Sequence, residues 1–223
     1  VKKNLEPEHP NVATALNNLA ILLAEQGSYA EARPLYERAL AIREKALGPE
    51  HPEVASALNN LAELLRSQGS YAEARPFSER ALAIWEKSFG SEHPRVALAL
   101  NNLAVLLKDQ GSDAEALPLL ERALAIREKA LGPEHPRVGD SLNNIAISLK
   151  AQGSYAEARP FYERALAIRE KALGPEHPDV AQSLNNLAGL LRNQGSHAEA
   201  RPLYERTLAI WENVYGPEHP NVA

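Results

Sequence analysis

Cysteine and methionine are both absent from the 223-residue chain. Without cysteine there are no disulfides, no thiolate metal sites and no Cys nucleophiles, and the redox compartment stays open. Long hydrophobic runs are absent too: the LAILLA stretch at 19–24 falls far short of the roughly 20 residues a membrane helix needs. No bilayer span and no membrane partner are therefore expected. The opening VKKNLEPEHP carries charge but no apolar segment or cleavage site, which excludes a signal peptide. Positive charge is in deficit, with 24 Lys and Arg against 29 Asp and Glu and a net charge of −5. That balance excludes a nucleic-acid binder working by bulk attraction to phosphate, so any basic patch must be local. With no methionine, the chain reads as a piece of a longer protein, and the location expected for it is cytoplasmic. It is long enough to bury roughly 70% of its unfolded surface if it packs as a globule.

What the chain has in abundance is itself. EHP recurs at His9, His51, His93, His135, His177 and His219, always 42 residues apart. Five full units follow, at 8–49, 50–91, 92–133, 134–175 and 176–217, with partial units at 1–7 and 218–223. The whole of 1–223 is expected to form one repetitive domain, since a fixed period of this size is the mark of a stacked array.

The 16 prolines and 12 glycines fall as punctuation. Gly27 and Gly48, and their counterparts in each later unit, suit the left-handed residue just past a helix end. Pro10, Pro52, Pro94, Pro136 and Pro178 suit the first helical position, where a backbone N–H has no partner to lose. Ser28 and Glu31, in SYAE, have the spacing of a capping box that recurs in every unit. Each unit is therefore predicted to be a helical hairpin, helix A over about 10–26 and helix B over about 29–47. Pro34, Pro76, Pro118, Pro160 and Pro202 fall inside helix B, where a bend is expected.

On a helical wheel, Val12, Leu16, Leu19 and Leu23 form the packing sector of helix A, widened by Ala15 and Leu22. Helix B carries two adjoining apolar stripes, Ala32, Leu35, Ala39, Ile42 and Ala46 beside Tyr36, Leu40 and Leu47, so it must be sandwiched between neighbours. A single hairpin buries too little to offset its ordering entropy, and only stacked units are stable. Opposite the packing sector of helix A stands an asparagine in every copy: Asn17, Asn59, Asn101, Asn143 and Asn185. Around it the copies differ, through Thr14, Ser56, Leu98, Asp140 and Gln182; Ile21, Glu63, Val105, Ile147 and Gly189; Ala24, Arg66, Lys108, Lys150 and Arg192. A fixed amide in a changing neighbourhood fits a groove in which the amides hold a peptide backbone by donor and acceptor together while the variable residues select side chains. Drift of exposed positions after duplication accounts for the same pattern.

The segment LNNLA…QGSYAEARPLYERALAIREKALGPEHP at 16–52 resembles the 42-residue tetratricopeptide repeats of kinesin light chains and nephrocystin-like proteins, also abundant in bacterial signalling proteins. Leu16, Leu19, Ala20, Gly27, Tyr29, Ala32, Tyr36 and Ala39 follow the general motif. The resemblance implies a solenoid whose inner groove grips extended peptides through Asn and basic residues of the A helices, and on it the first Asn of LNNLA carries over to Asn17, Asn59, Asn101, Asn143 and Asn185. Leu23 and its counterparts stand where light chains often carry Tyr, and AEQGSY stands where they carry a basic turn, so cargo specificity does not transfer. The near-identity of the copies fits a bacterial or repeat-derived array better than a kinesin subunit.

The EHP histidines stand one per junction with no second ligand at short spacing, so they read as helix caps and no metal site is expected. Glu37, Arg38, Arg43 and Glu44 read as mainly a solvated face. Trp85 and Trp211 replace the Arg43-type residue and read as cover for an interface between units. His197, in place of the Tyr29-type residue, is expected to fill that contact. Gly139 and Gly189 weaken their helices by roughly 1 kcal/mol each relative to Ala, and Gly189 falls in the groove sector. No nucleophile beside a base, no phosphate-cradling loop and no paired carboxylates stand out; neither enzymatic activity nor a cofactor is expected.

The sequence thus predicts an all-α, right-handed superhelical solenoid of stacked antiparallel helix pairs that binds a protein or peptide ligand. The ligand lies across Asn17, Asn59, Asn101, Asn143 and Asn185, with Glu63, Asp140 and Gln182 beside it. Arg66, Lys108, Lys150 and Arg192 favour an acidic ligand. Two alternatives stay open: a spacer that self-associates through uncapped ends, where Leu203, Leu208 and Ile210 are left partly uncovered, and the sensor arm of a larger signalling enzyme.

Overall fold

The computed structural model describes residues 9–216. The partial units at 1–7 and 218–223, and His219 with them, lie outside the described residues. The chain divides into two compact units, Val1–Gly111 and Ser112–Ala223. The first holds α1 (Pro10–Glu25), α2 (Tyr29–Leu47), α3 (Pro52–Ser67), α4 (Tyr71–Phe89) and α5 (Pro94–Asp109). The second holds α6 (Asp113–Leu131), α7 (Pro136–Ala151), α8 (Tyr155–Leu173), α9 (Pro178–Asn193) and α10 (His197–Tyr215). Helix is the only regular element among the described residues, and the all-α stack of helix pairs expected from the period is what they form. No helix among the described residues is long and apolar enough to cross a membrane.

The odd-numbered helices begin where the HP dipeptide dictates. His9 is extended, at φ −68° and ψ 140°, and its Nδ1 accepts the Asn11 N–H at 3.1 Å. His51, His93, His135 and His177 repeat this cap. The capping box expected at Ser28 does not form. Ser28 sits at φ −80°, ψ 54° with no side-chain cap hydrogen bond, away from the extended geometry that aims an N-cap hydroxyl into the first turn. Its backbone carbonyl takes the Glu31 and Ala32 N–H groups instead. The even-numbered helices run unbroken through Pro34, Pro76, Pro118, Pro160 and Pro202. Ala30 and Pro34 are both exposed, where water can take the carbonyl that proline leaves without a donor.

In the first unit α1 packs on α2, α3 on α4, and α2 and α4 each on the helix that follows. In the second unit α7 packs on α8 and α9 on α10, with α6 against α7 and α8 against α9. The core follows the expected stripes: Val54, Leu58 and Leu65 of α3, and Val180, Ala181 and Leu184 of α9 with Ile210 of α10, are buried. Burying each large aliphatic side chain contributes roughly 1.5–3 kcal/mol. At α1, which no helix pair precedes among the described residues, the stripe is only half used. Leu19 and Leu22 are 47% and 50% exposed, against 2% and 3% for the equivalent Leu61 and Leu64. Ala46 and Leu47, expected in the buried stripes of helix B, are exposed. Ile210, expected to be partly uncovered, is buried, while Leu208 is exposed.

The Arg43-type position is the larger correction. Arg43 is buried and reaches 3.9 Å from Glu53 of the next helix. Arg127 and Arg169 donate at 2.7 Å to the hydroxyls of Ser141 and Ser183 on the helices that follow them. This position is an inter-helix seam, which explains why tryptophan can replace arginine there: both bury a long stem and keep a donor at the tip. Trp85 is buried and donates through Nε1 to the Pro52 carbonyl, and Trp211 packs on the Val180 cluster. Gly139 is buried, and a Cβ there would lie 3.4 Å from Ile168 Cγ2, an ordinary packing distance; Ala55, Ala97 and Ala181 stand buried at the equivalent position of other repeats. His197 is exposed where Tyr29, Tyr71 and Tyr155 are half-buried, so it does not fill their contact.

Candidate functional site

The face of the odd-numbered helices bearing the recurrent asparagine is built from both residues of the NN pair. Asn60 of α3 donates from Nδ2 to Asn17 Oδ1 at 2.9 Å, and Asn102 of α5 donates to Asn59 Oδ1 at 3.0 Å. In the second unit Asn186 of α9 donates to Asn143 Oδ1 at 3.0 Å, and Gln182 Nε2 donates to Asn186 Oδ1 at 3.1 Å. Asn17 is buried, and Asn59, Asn101, Asn143 and Asn185 are half-buried. The second asparagine was not singled out from the sequence, although LNN recurs in every unit as faithfully as its first member. Its role is to engage the oxygen of the first, so at Asn17, Asn59 and Asn143 one acceptor site is already used within the chain.

Next to Asn60 lies a cleft of about 230 Å³, lined among others by Ile21, Ala24, Tyr29, Tyr36 and Glu63. Ile21, Ala24 and Glu63 come from the sector expected to face a ligand. The two tyrosines come from α2 and give the cleft an apolar floor; burial, and after it the charge of Glu25, pushes the Tyr36 hydroxyl pKa up. At the matching place in the second unit burial pushes Tyr162 up to about 12.

The basic positions differ from one another. Arg66 is locked between Glu63, at 2.5 Å on its own helix, and Asp109, at 2.7 Å on α5. The hydrogen bonds that Arg66 donates to the Glu63 carboxylate and then to Asp109 raise its pKa against the opposing effect of burial. Lys108 and Lys150 are half-buried and Arg192 is exposed. Lys150 extends over Gly189, where a Cβ would lie 3.3 Å from its Nζ and 3.6 Å from the Tyr204 hydroxyl. Asp140, expected beside the ligand, forms an ion pair with Arg169 at 2.9 Å. Among the described residues no group of three or more His, Asp or Glu side chains is placed to hold a metal ion.

A model of the tetratricopeptide repeat matches residues 1–45, 11–87, 53–129, 96–171 and 137–192, and a second tetratricopeptide model matches 180–221. The chain belongs to the tetratricopeptide repeat family. Among solved structures, the nearly identical TPR-like repeats of a Podosopora anserina chain assigned to the kinesin light chains are 33% identical, with a TM-score of 0.80 over 93% of this chain and 99% of that one. BtubC from P. vanneervenii is 28% identical, with a TM-score of 0.82 over 95% of this chain and 84% of its own. A Rap protein complexed with competence and sporulation factor is 21% identical over 89% of this chain and 54% of its own, with a TM-score of 0.71, and shows the fold alone. No curated protein compared with the chain matches it. Tetratricopeptide arrays generally mediate protein–protein interaction and are generally non-enzymatic scaffolds, and the kinesin light chain-like character of this tetratricopeptide array is clear from its structural relatives.

Proposed function

We propose that this tetratricopeptide array is a non-enzymatic scaffold that binds an extended peptide or partner segment on the face formed by its odd-numbered helices. The observation that carries this reading is the cleft between α1 and α3, which combines an apolar floor from Tyr29 and Tyr36 with the amide of Asn60 at its edge. Apolar lining with a few convergent polar groups is the usual composition of a ligand site. An extended chain needs donors and acceptors at regular intervals, and the asparagine pairs supply amides at one-repeat spacing. Because the Asn17, Asn59 and Asn143 oxygens already accept from a neighbouring helix, their Nδ2 donors would meet ligand carbonyls.

Selection from a random peptide library tests the proposal. The expected binders are extended and acidic, lose affinity as salt rises, and weaken when Asn101→Ala is combined with Lys108→Ala. Binders indifferent to both the double substitution and salt would overturn it.

A further inference from the structure

Ala24 is the exception in its register. The four later copies carry a cation there, Arg66, Lys108, Lys150 and Arg192, whereas the first repeat has only a methyl group. Ala24 lines the cleft of about 230 Å³ between α1 and α3, whose walls hold Glu25, Glu63, Tyr29, Tyr36 and Asn60 and no Lys, Arg or His. Glu25 makes no ion pair or hydrogen bond among the described residues. Glu63 pairs with Arg66, which Asp109 also engages, so that cluster keeps a net negative charge. Tyr36 is only 4% exposed, and its hydroxyl has no hydrogen bond among the described residues. A buried phenol on a cleft wall with no partner in the chain is a group that a ligand can satisfy. Asn60 spends its Nδ2 on Asn17, which leaves its oxygen as a further acceptor.

The fourth repeat inverts the arrangement. It keeps both tyrosines, as Tyr155 and Tyr162, but has Ala151 and Gly189 in the Glu25 and Glu63 registers and Lys150 in the Ala24 register. The Lys150 ammonium extends over Gly189, 3.3 Å from where a Cβ would lie, and has no ion pair among the described residues. One repeat thus places a lysine without the acids, and the other places the acids without a lysine.

We propose that the cleft between α1 and α3 takes the ammonium group of a lysine side chain from a bound peptide, with the Glu25 and Glu63 carboxylates as its acceptors. An ammonium has three donors and no acceptor, which suits walls rich in acceptors, and the faces of Tyr29 and Tyr36 add attraction for a cation. A carboxylate in the same place would meet two like charges. The inference rests on the peptide-binding reading and goes beyond it: the bound segment carries a lysine at this cleft, besides the acids selected elsewhere on the face.

The test uses the full chain and two acetylated, amidated glycine–serine peptides, one with a central lysine and the other with a central glutamine. Each is titrated by NMR, with the ring resonances of Tyr29 and Tyr36 as the readout. The lysine peptide is expected to shift both rings and to bind about tenfold more tightly, the scale of one charge-assisted contact. Glu25→Gln combined with Glu63→Gln should erase that preference. Ala24→Lys should erase it too, by supplying from the chain the cation that Lys108 and Lys150 supply in their own repeats. Melting curves followed by circular dichroism keep a loss of fold distinct from a loss of site. A preference that survives either variant overturns the assignment, as does binding that leaves both rings unmoved. Equal binding of the two peptides overturns it while leaving the peptide-binding reading intact, and failure of both to bind overturns it and leaves that reading to the library selection.

Discussion

The Nδ2 of Asn60 on α3 reaches the Oδ1 of Asn17 on α1 at 2.9 Å. The same bond recurs one repeat later between Asn102 and Asn59. The Asn59–Asn60 doublet thus serves two neighbours, its first member accepting from the helix that follows and its second donating to the helix that precedes. Within each unit, consecutive odd-numbered helices are linked by side-chain amides: α1 to α3, α3 to α5, and α7 to α9.

Asn102→Ala should therefore weaken the first unit. The half-buried Asn59 oxygen loses its donor, at a cost of about 1 kcal/mol. Asn102→Asp should do more damage, because a carboxylate would face the Asn59 carbonyl with no proton to share. Urea midpoints checked by circular dichroism would show the order wild type, Ala, Asp; an Ala variant as stable as wild type would mean the bond makes no net contribution.

Gly132 ends α6 at φ 86° and ψ 154°, a region open essentially to glycine alone. A Cβ there would meet nothing within 4 Å, so any cost of Gly132→Ala is backbone strain. The expected loss is about 1–3 kcal/mol, read as a lower urea midpoint. An unchanged midpoint would show that the junction relaxes into another conformation.

The period, the helix boundaries and the histidine caps were legible because each is fixed by local chemistry: HP starts a helix, glycine ends one, and apolar spacing marks the core. What stayed hidden depends on the neighbouring repeat. The SYAE spacing suggested a capping box, but the backbone at Ser28 arrives at ψ 54° and the hydroxyl has no part in the cap. Arg43 looked solvent-facing because charge usually is, yet the next helix covers it. Its exchange for Trp85 and Trp211 was the available sign of burial. The recurrent asparagines were visible, but their mutual bonds were not, since residues 43 apart in sequence meet only once the pairs are stacked. The partition of the basic residues into an occupied Arg66 and a bare Lys150 needed the neighbouring acids to be placed as well.

Glu134 and Lys171 form an ion pair in the second unit. The hydrogen bond from Lys171, and then its charge, hold the Glu134 carboxyl below its usual value of 4.5. A depressed folded value contributes stability that is fully present above the unfolded pKa and is lost as pH falls through the folded one. The window lies below about pH 4.5. Both side chains are 66% exposed, so added salt should shrink the effect. A carboxyl NMR titration should show Glu134 titrating lower in the folded chain than in urea, and Lys171→Met should remove the difference. Equal values in the two states would refute the pairing in solution.

Arg169 of α8 donates at 2.7 Å to Ser183 and at 2.9 Å to Asp140, and its stem lies in the seam that Trp85 and Trp211 occupy in their own repeats. Arg169→Ala removes a charge-assisted bond and leaves the Ser183 hydroxyl without that donor, for an expected loss of about 1.5–3 kcal/mol. Arg169→Trp keeps a donor at the tip and fills the seam, so it should lose less than half as much. The contrast is informative because a solvated arginine would give the reverse order: alanine would be nearly silent and tryptophan would expose an indole. Paired urea melts of the two variants decide between a seam and a surface, and an alanine variant at least as stable as the tryptophan one would place Arg169 on the surface.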